Sequence, residues 1–262
     1  MKDDLFTLHG DIERTHWWFV ARRQILCALV RAIAPRGGTV VDVGCGTGAN
    51  IAALSDAYRC IGVDASPAAI ALASARYPTL DLRLATTPDE TLRAVAEADV
   101  VMLCDVIEHI ERDREFLASV IRSMRLGAQL LITVPADMSL WSSHDVVFGH
   151  FRRYDRQTLE GTWQGLDVTP RLVSYFNTRL FPVIRAIRAW RSRRPAAEGA
   201  EATDFRAHDP LSNAVLQRIF AGERHRLLAV LDGRGRSYAR GASLCAVLER
   251  RDAVSAAPRQ AS

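Results

Sequence analysis

The sequence predicts an α/β fold, a parallel sheet with helices on both of its faces. Three observations carry that expectation. Short apolar or β-branched runs recur at Thr39 to Val43, Cys60 to Val63, Leu80 to Leu84, Val100 to Leu103 and Gln129 to Val134, each of strand length. Stretches of helical length separate them, and such alternation folds as right-handed crossovers within a parallel sheet. The first run passes directly into Gly44-Cys45-Gly46-Thr47-Gly48, a tight turn from strand to helix.

Ahead of the first strand, Asp4 to Ile33 reads as a helix. Trp18, Ile25, Leu26, Leu29 and Ile33 recur at helical spacing, and Pro35 with Gly37 and Gly38 ends it. Ala49 to Ala57 is the helix after the glycine turn. Ser66-Pro67 caps a helix reaching Arg76, Thr87-Pro88 opens the next, and Arg112 to Met124 follows the fourth strand. Val100 to Leu103 is apolar throughout, as a strand buried on both faces must be. After Pro135 the pattern changes to a long polar and aromatic loop as far as Tyr154, a short helix near Leu159 and a strand from Val168 to Tyr175. Asn177 or Thr178 with Pro182 starts a basic amphipathic helix to about Arg194, and a small-residue, acidic linker, Pro195 to Thr203, follows it. A helix from Leu211 to Leu231 and a last strand from Ser243 to Leu248 complete the pattern. The chain thus divides into an N-terminal helical cap (1–36), a core (37–176), a helical insertion (177–236), the final core strand (237–250) and a disordered tail (251–262).

Hydrophobic residues make up 48% and charged residues 24% of the chain, which excludes wholesale disorder and a fibrous repeat. Residues 1–10 carry acids and polar groups where a signal peptide needs a basic start and an apolar run. No apolar stretch reaches membrane-spanning length either, so a cytoplasmic protein is expected. Cys27, Cys45, Cys60, Cys104 and Cys245 lie scattered in apolar surroundings, the pattern of buried thiols and not of disulfides or a zinc site. The net charge is +4 and Lys2 is the sole lysine, an arginine bias that fits a GC-rich bacterial genome better than a binding surface. Basic residues gather only between Arg179 and Arg194, which argues against a nucleic-acid partner.

The chemistry concentrates in Val40-Val41-Asp42-Val43-Gly44-Cys45-Gly46-Thr47-Gly48. Glycines let the backbone approach a ligand, and the helix that follows offers free amides. Asp64 ends the second strand, the position from which a carboxylate reaches ribose hydroxyls. Gly44, Gly46 and Ala49 also satisfy a dinucleotide fingerprint, so a dinucleotide oxidoreductase is the rival reading. Asp42 separates the two: an acid there would repel a pyrophosphate but suits a ligand carrying an ammonium and a sulfonium.

Val41 to Gly48 resembles the cofactor motif of class I S-adenosylmethionine-dependent methyltransferases, and Asp64 resembles their ribose-binding acid. Cys104-Asp105-Val106-Ile107-Glu108-His109-Ile110 resembles the segment after the fourth strand in the ubiquinone-biosynthesis O-methyltransferase type. The resemblance is strong over residues 38–135 and specific as to cofactor more than acceptor. It implies a Rossmann-like class I methyltransferase sheet. S-adenosyl-L-methionine would then be held by Asp42, Gly44, Cys45, Gly46, Gly48, Asp64, Ala65, Thr86 and Asp105. One departure stands out: Leu84-Ala85-Thr86-Thr87 lacks the acid that many relatives set against adenine, leaving Thr86 or a backbone carbonyl to substitute. A divalent metal on Asp105, Glu108 and His109 has too few oxygens, so these residues are read as pocket lining and no metal is expected.

The acceptor side resembles uncharacterised bacterial methyltransferases at His16-Trp17-Trp18-Phe19, at His144-Asp145 through Tyr154, and at Ser174 to Thr178. Trp17 and its neighbours either cover the ligand or pack. His144 oriented by Asp145, or else His150, is the candidate general base, with His109 held in reserve; Arg152, Arg153 and Tyr154 would bind polar parts of the acceptor. The segment 179–194 is a lid, a homodimer contact, an exposed face or a peripheral contact with the inner membrane. A small-molecule, lipid or saccharide O-methyltransferase follows. N-, C- or RNA methylation and a non-catalytic cofactor-binding subunit are the alternatives.

Overall fold

A computed structural model of the protein describes residues 10, 12–191 and 209–252. Within the described residues the expected helix from Asp4 is not continuous to Ile33: His16 is extended, and its side chain accepts the Trp18 N–H at 3.3 Å, which starts α1 (Trp17–Ile33). Residues 1–9, 11, 192–208 and 253–262 lie outside the described residues, and with them the expected linker Pro195 to Thr203, the end of the helix expected to reach Arg194 and most of the expected tail.

The strands are β1 (Thr39–Val43), β2 (Arg59–Asp64), β3 (Asp81–Leu84), β4 (Val100–Cys104), β5 (Gln129–Pro135), β6 (Val168–Phe176) and β7 (Ser243–Arg250). They form one sheet in the order β3-β2-β1-β4-β5-β7-β6. The first five strands pair in parallel as expected, whereas β7 runs antiparallel to both β5 and β6. Alternate residues feed two cores. Val41, Val101 and Ile132 pack on one face, and Val40, Met102 and Leu131 on the other.

The helices between strands are α2 (Ala49–Ala52), α3 (Pro67–Arg76), α4 (Pro88–Val95) and α5 (Asp113–Ser123). Ser66 caps α3, and Thr87 with Glu90 forms a capping box on α4, so both predicted starts hold. α2 is shorter than Ala49 to Ala57. Leu54 and Ala57 donate to Ile51 and Leu54, tightening the chain into three-residue turns before β2.

What reads as a loop after β5 contains a 3-10 turn (Met138–Leu140) and α6 (Ser143–Phe148), followed by α7 (Arg156–Gly161). A capping box between Ser142 and Asp145 supplies the missing helix start. Beyond β6 come α8 (Phe181–Arg191), α9 (Pro210–Ala221) and α10 (Arg224–Leu231). The single helix expected from Leu211 to Leu231 breaks at Gly222 and Glu223. Glu223 is fully buried, and its carboxylate accepts the N–H groups of Thr178 and Arg179 at 2.9 and 2.8 Å, pinning the turn that launches α8. Among the described residues no helix is long and apolar enough to cross a membrane.

Replacing Glu223 with Ala removes the one oxygen, Oε1, to which both part-buried amides donate. The expected loss is about 2 kcal/mol or more, read as a lower midpoint in urea unfolding with little change in slope.

Candidate active site

From β1 the chain turns to β2 on one side of the sheet, and from β4 to β5 on the other. A cleft therefore opens beyond the carboxyl ends of β1 and β4, where a sheet of this kind binds ligands. It encloses 910 Å³, with the glycine turn on one wall and side chains of α1, α6 and α8 on the others.

The glycine turn is held from beneath. Gly44 and Cys45 both donate to the Val63 carbonyl, at 2.8 and 3.1 Å. Asp64 lines the cleft while its two oxygens accept the Gly46 and Ser66 N–H groups at 2.8 and 2.9 Å. Each carboxylate oxygen has two lone pairs, so Asp64 can order the turn and still accept hydroxyls. Gly46 has φ +54°, and a Cβ built there meets nothing within 4 Å, so its open side is the cleft itself. Cys45 and Ala65 also line the cleft. Gly44 lies against Val106, and Gly48 packs on Ala73 and Tyr77, outside the lining.

A buried charge cluster lies between α1 and the strand ends. Arg22 contacts Asp105 at 2.7 Å and donates to the Thr133 hydroxyl at 2.9 Å. Asp105 adopts φ +59° at the end of β4 and lines the cleft. Asp42, 1% exposed, has no hydrogen-bond partner on either oxygen; burial pushes its carboxyl up to about 7 against the pull of Arg22. Glu108 lines the cleft, fully buried and likewise without a partner, and burial with the nearby Asp105 charge raises it well above the carboxylate range.

Asp145 is not directed at its sequence neighbour. Its carboxylate lies 2.9 Å from His150 Nδ1 and takes a fork from Arg153 at 2.8 and 3.0 Å. Burial opposes its ionisation, but the His150 bond and the Arg153 charge outweigh that and hold it below the usual range. His144 instead stacks on Phe148, with ring centroids 4.4 Å apart. His109 meets His150 edge to face at 4.7 Å, and burial, with His150 second, lowers it to about 4. His109, His144, His150, Trp17 and Arg153 all line the cleft. One ligand atom each from Glu108, His109 and His150 fall within 4.8 Å of one another, a set able to hold a divalent ion in which His150 replaces Asp105.

Three expected residues turn away. The Thr86 hydroxyl faces Glu90 and leaves the cleft wall to Ala85 and Thr91. Arg152 pairs with Asp113 at 2.8 Å, and the Tyr154 hydroxyl reaches the same carboxylate at 2.6 Å from within the core, so neither meets the cleft. Two further residues join the site. Glu13, which no sequence pattern marks, accepts the Thr47 hydroxyl at 2.7 Å and Arg76 at 3.1 Å, tying the chain before α1 to the glycine turn. Asn177, at φ +54°, lines the cleft with a buried amide oxygen lacking a partner; it falls in the Ser174 to Thr178 stretch that carries the acceptor-side resemblance.

The profile of a family described as methyltransferase domain matches residues 19–200. A probable S-adenosylmethionine-dependent methyltransferase of Mycolicibacterium smegmatis is 29% identical over 60% of this chain, which spans 60% of that relative's length. Among solved structures, one chain of the complex between the Haloferax volcanii Trm112 methyltransferase activator and its methyltransferase partner aligns over 95% of both chains, with TM-score 0.57 and 18% identity. A geranyl diphosphate methyltransferase in complex with S-adenosylmethionine aligns over 88% of this chain and 85% of its own, with TM-score 0.54 and 15% identity. These two likenesses establish the fold.

Two measurements probe the cofactor half. Gly46→Val should fold, by circular dichroism, yet show no calorimetric heat with S-adenosylhomocysteine, since its side chain enters the cleft; retained binding would remove the turn from the site. Asp42 has a raised carboxyl, so its ionisation in the native state costs stability that grows as pH climbs from about 4 through 7. Asp42→Asn should therefore resist urea better than the parent at pH 8, by about 1 to 3 kcal/mol, with the gap closing near pH 4.

Proposed function

This chain belongs to the methyltransferase-domain family, and on that premise we propose that it is a S-adenosylmethionine-dependent enzyme that O-methylates a small-molecule, lipid or saccharide biosynthetic intermediate. The observation that carries the acceptor half is the Arg153–Asp145–His150 chain at the cleft wall. S-adenosylmethionine supplies an electrophilic methyl carbon on a sulfonium. The residues present fit that group: Gly46 leaves space, Asp64 retains acceptor capacity, and Asp105 brings a carboxylate to the cleft wall.

With Nδ1–H donated to Asp145, the His150 imidazole keeps its lone pair on Nε2 and can take a proton from an acceptor hydroxyl or phenol. Arg153 holds Asp145 ionised, so the carboxylate fixes the tautomer and stabilises the imidazolium that forms. His109, kept neutral by burial, adds no competing positive charge beside it. Trp17, Phe116 and Phe148 exclude water around the transfer, which then depends on alignment of the hydroxyl oxygen. In this reading the partner is a small molecule, not nucleic acid, and the location is cytoplasmic, with α8 the segment for a peripheral contact with the inner membrane.

Calorimetry with S-adenosylhomocysteine and with NAD separates this reading from an oxidoreductase: heat with the first and none with the second is expected. With an acceptor in hand, His150→Ala should lower turnover by about 10² to 10⁴ while leaving homocysteine-product affinity unchanged. His144→Ala should stay near the parent; equal turnover in both variants would remove His150 as the base.

A further inference from the structure

The acceptor half of the cleft has one wall that the fold uses only in part for its own packing. Val183, Ile184 and Ile187 of α8, with Leu180 just before its start, form a stripe at helical spacing, and all four line the cleft. Leu180 and Ile184 also join the core beneath. Val183 and Ile187 do not; they face the cleft while remaining 57% and 44% exposed. Large apolar side chains that line a concave site and still meet water are surface left for a ligand to cover. The facing wall, contributed by the start of α1, carries the half-buried rings of Trp17 and Trp18.

The same helix gives the stripe a fixed setting. Arg188 reaches over the 3-10 turn to the Leu140 carbonyl, so α8 is fastened across the cleft and is not a free arm. At 910 Å³ the cleft lies near the upper end of the ~300 to 1,000 Å³ that single ligands occupy, which leaves room for a second molecule beside a cofactor.

We infer that the acceptor is an amphiphile whose extended apolar chain lies between the Val183–Ile187 stripe of α8 and the tryptophans of α1, with its hydroxyl end at His150. This rests on the methyltransferase reading for the cofactor half, and it narrows the acceptor to molecules with an alkyl or prenyl-like body. The polar end is met by His150 and by Asn177 and Glu108, whose buried, unpartnered oxygens can accept from a hydroxyl-bearing head.

The test titrates the protein, saturated with S-adenosylhomocysteine, with hexyl, octyl and decyl β-glucosides below their micelle concentrations; glucose serves as the head-group control. These probes are uncharged, so general attraction to a basic protein plays no part. Affinity should rise about fourfold per added methylene, with no heat from glucose. Val183→Asp and Ile187→Asp, both at exposed positions that fold does not require, should weaken decyl glucoside about tenfold or more while S-adenosylhomocysteine binds as before. Leu211→Asp, exposed on α9 and outside the cleft, should change neither. Affinity independent of chain length, or unchanged in Ile187→Asp, would overturn the inference, and a mass that doubles with concentration only in the parent would assign the stripe to a second copy instead. Chain-length-dependent binding without any S-adenosylhomocysteine heat would sink the cofactor reading and leave the chain site standing.

Discussion

Much of the cleft depends on one guanidinium. Arg22 is the buried cation among Asp42, Asp105 and Glu108, and its contact with Asp105 at 2.7 Å ties α1 to the end of β4. Burial already pushes Asp42 and Glu108 toward the neutral form, and without Arg22 the Asp105 carboxylate would stand beside them with no cation. The pairing also explains how Asp105 tolerates its left-handed backbone: the ion pair and the Thr133 hydroxyl at 3.2 Å hold the residue where the strand must turn. One cation cannot satisfy three acids. Glu108 is left as an unpartnered carboxyl on the cleft wall, and Asp42 as a buried one outside the cleft lining.

Around this cluster the two halves of the site are built by different means. The cofactor half is backbone work, in which amides bond to the Val63 carbonyl and to Asp64 and small residues keep the surface open. The acceptor half is side-chain work from α1, α6 and α8. Its polar element, Arg153–Asp145–His150, is bonded through from the Arg153 guanidinium to His150 Nδ1, which fixes direction, while its apolar walls fix shape. A site of this kind can keep one chemistry and change its acceptor through the walls alone.

The first half was legible in sequence because a strand, a glycine turn and a helix cap are local requirements. Ser66-Pro67 and Thr87-Pro88 mark their helices for the same reason. The base was harder to read. His144 adjoins Asp145 in sequence, but neighbours on a helix point about 100° apart, so the two side chains diverge. Gly149, at φ +72°, then turns the chain back, the His150 N–H bonds to the Asp145 carbonyl at 2.9 Å, and the imidazole returns over the carboxylate. Arg22 with Asp105, and Glu13 with Thr47, join residues far apart in sequence, and neither pair has a local pattern. Arg152 and Tyr154 look like ligand-binding residues only until the fold shows Asp113 beneath them.

The sheet order sets a timetable. β7 lies between β5 and β6 yet follows both in sequence, with α8, α9 and α10 intervening. A ribosome emits the chain from its N-terminus, so β1 to β5 and the glycine turn can assemble while β5 still has a bare edge and β6 has no partner. Ala242 and Ser243, which line the cleft where β7 begins, arrive in the same late step. The nascent chain therefore holds a half-sheet with an open, apolar border until 243–250 thread in as its closing strand, and that interval is when it needs protection from pairing with the wrong partner.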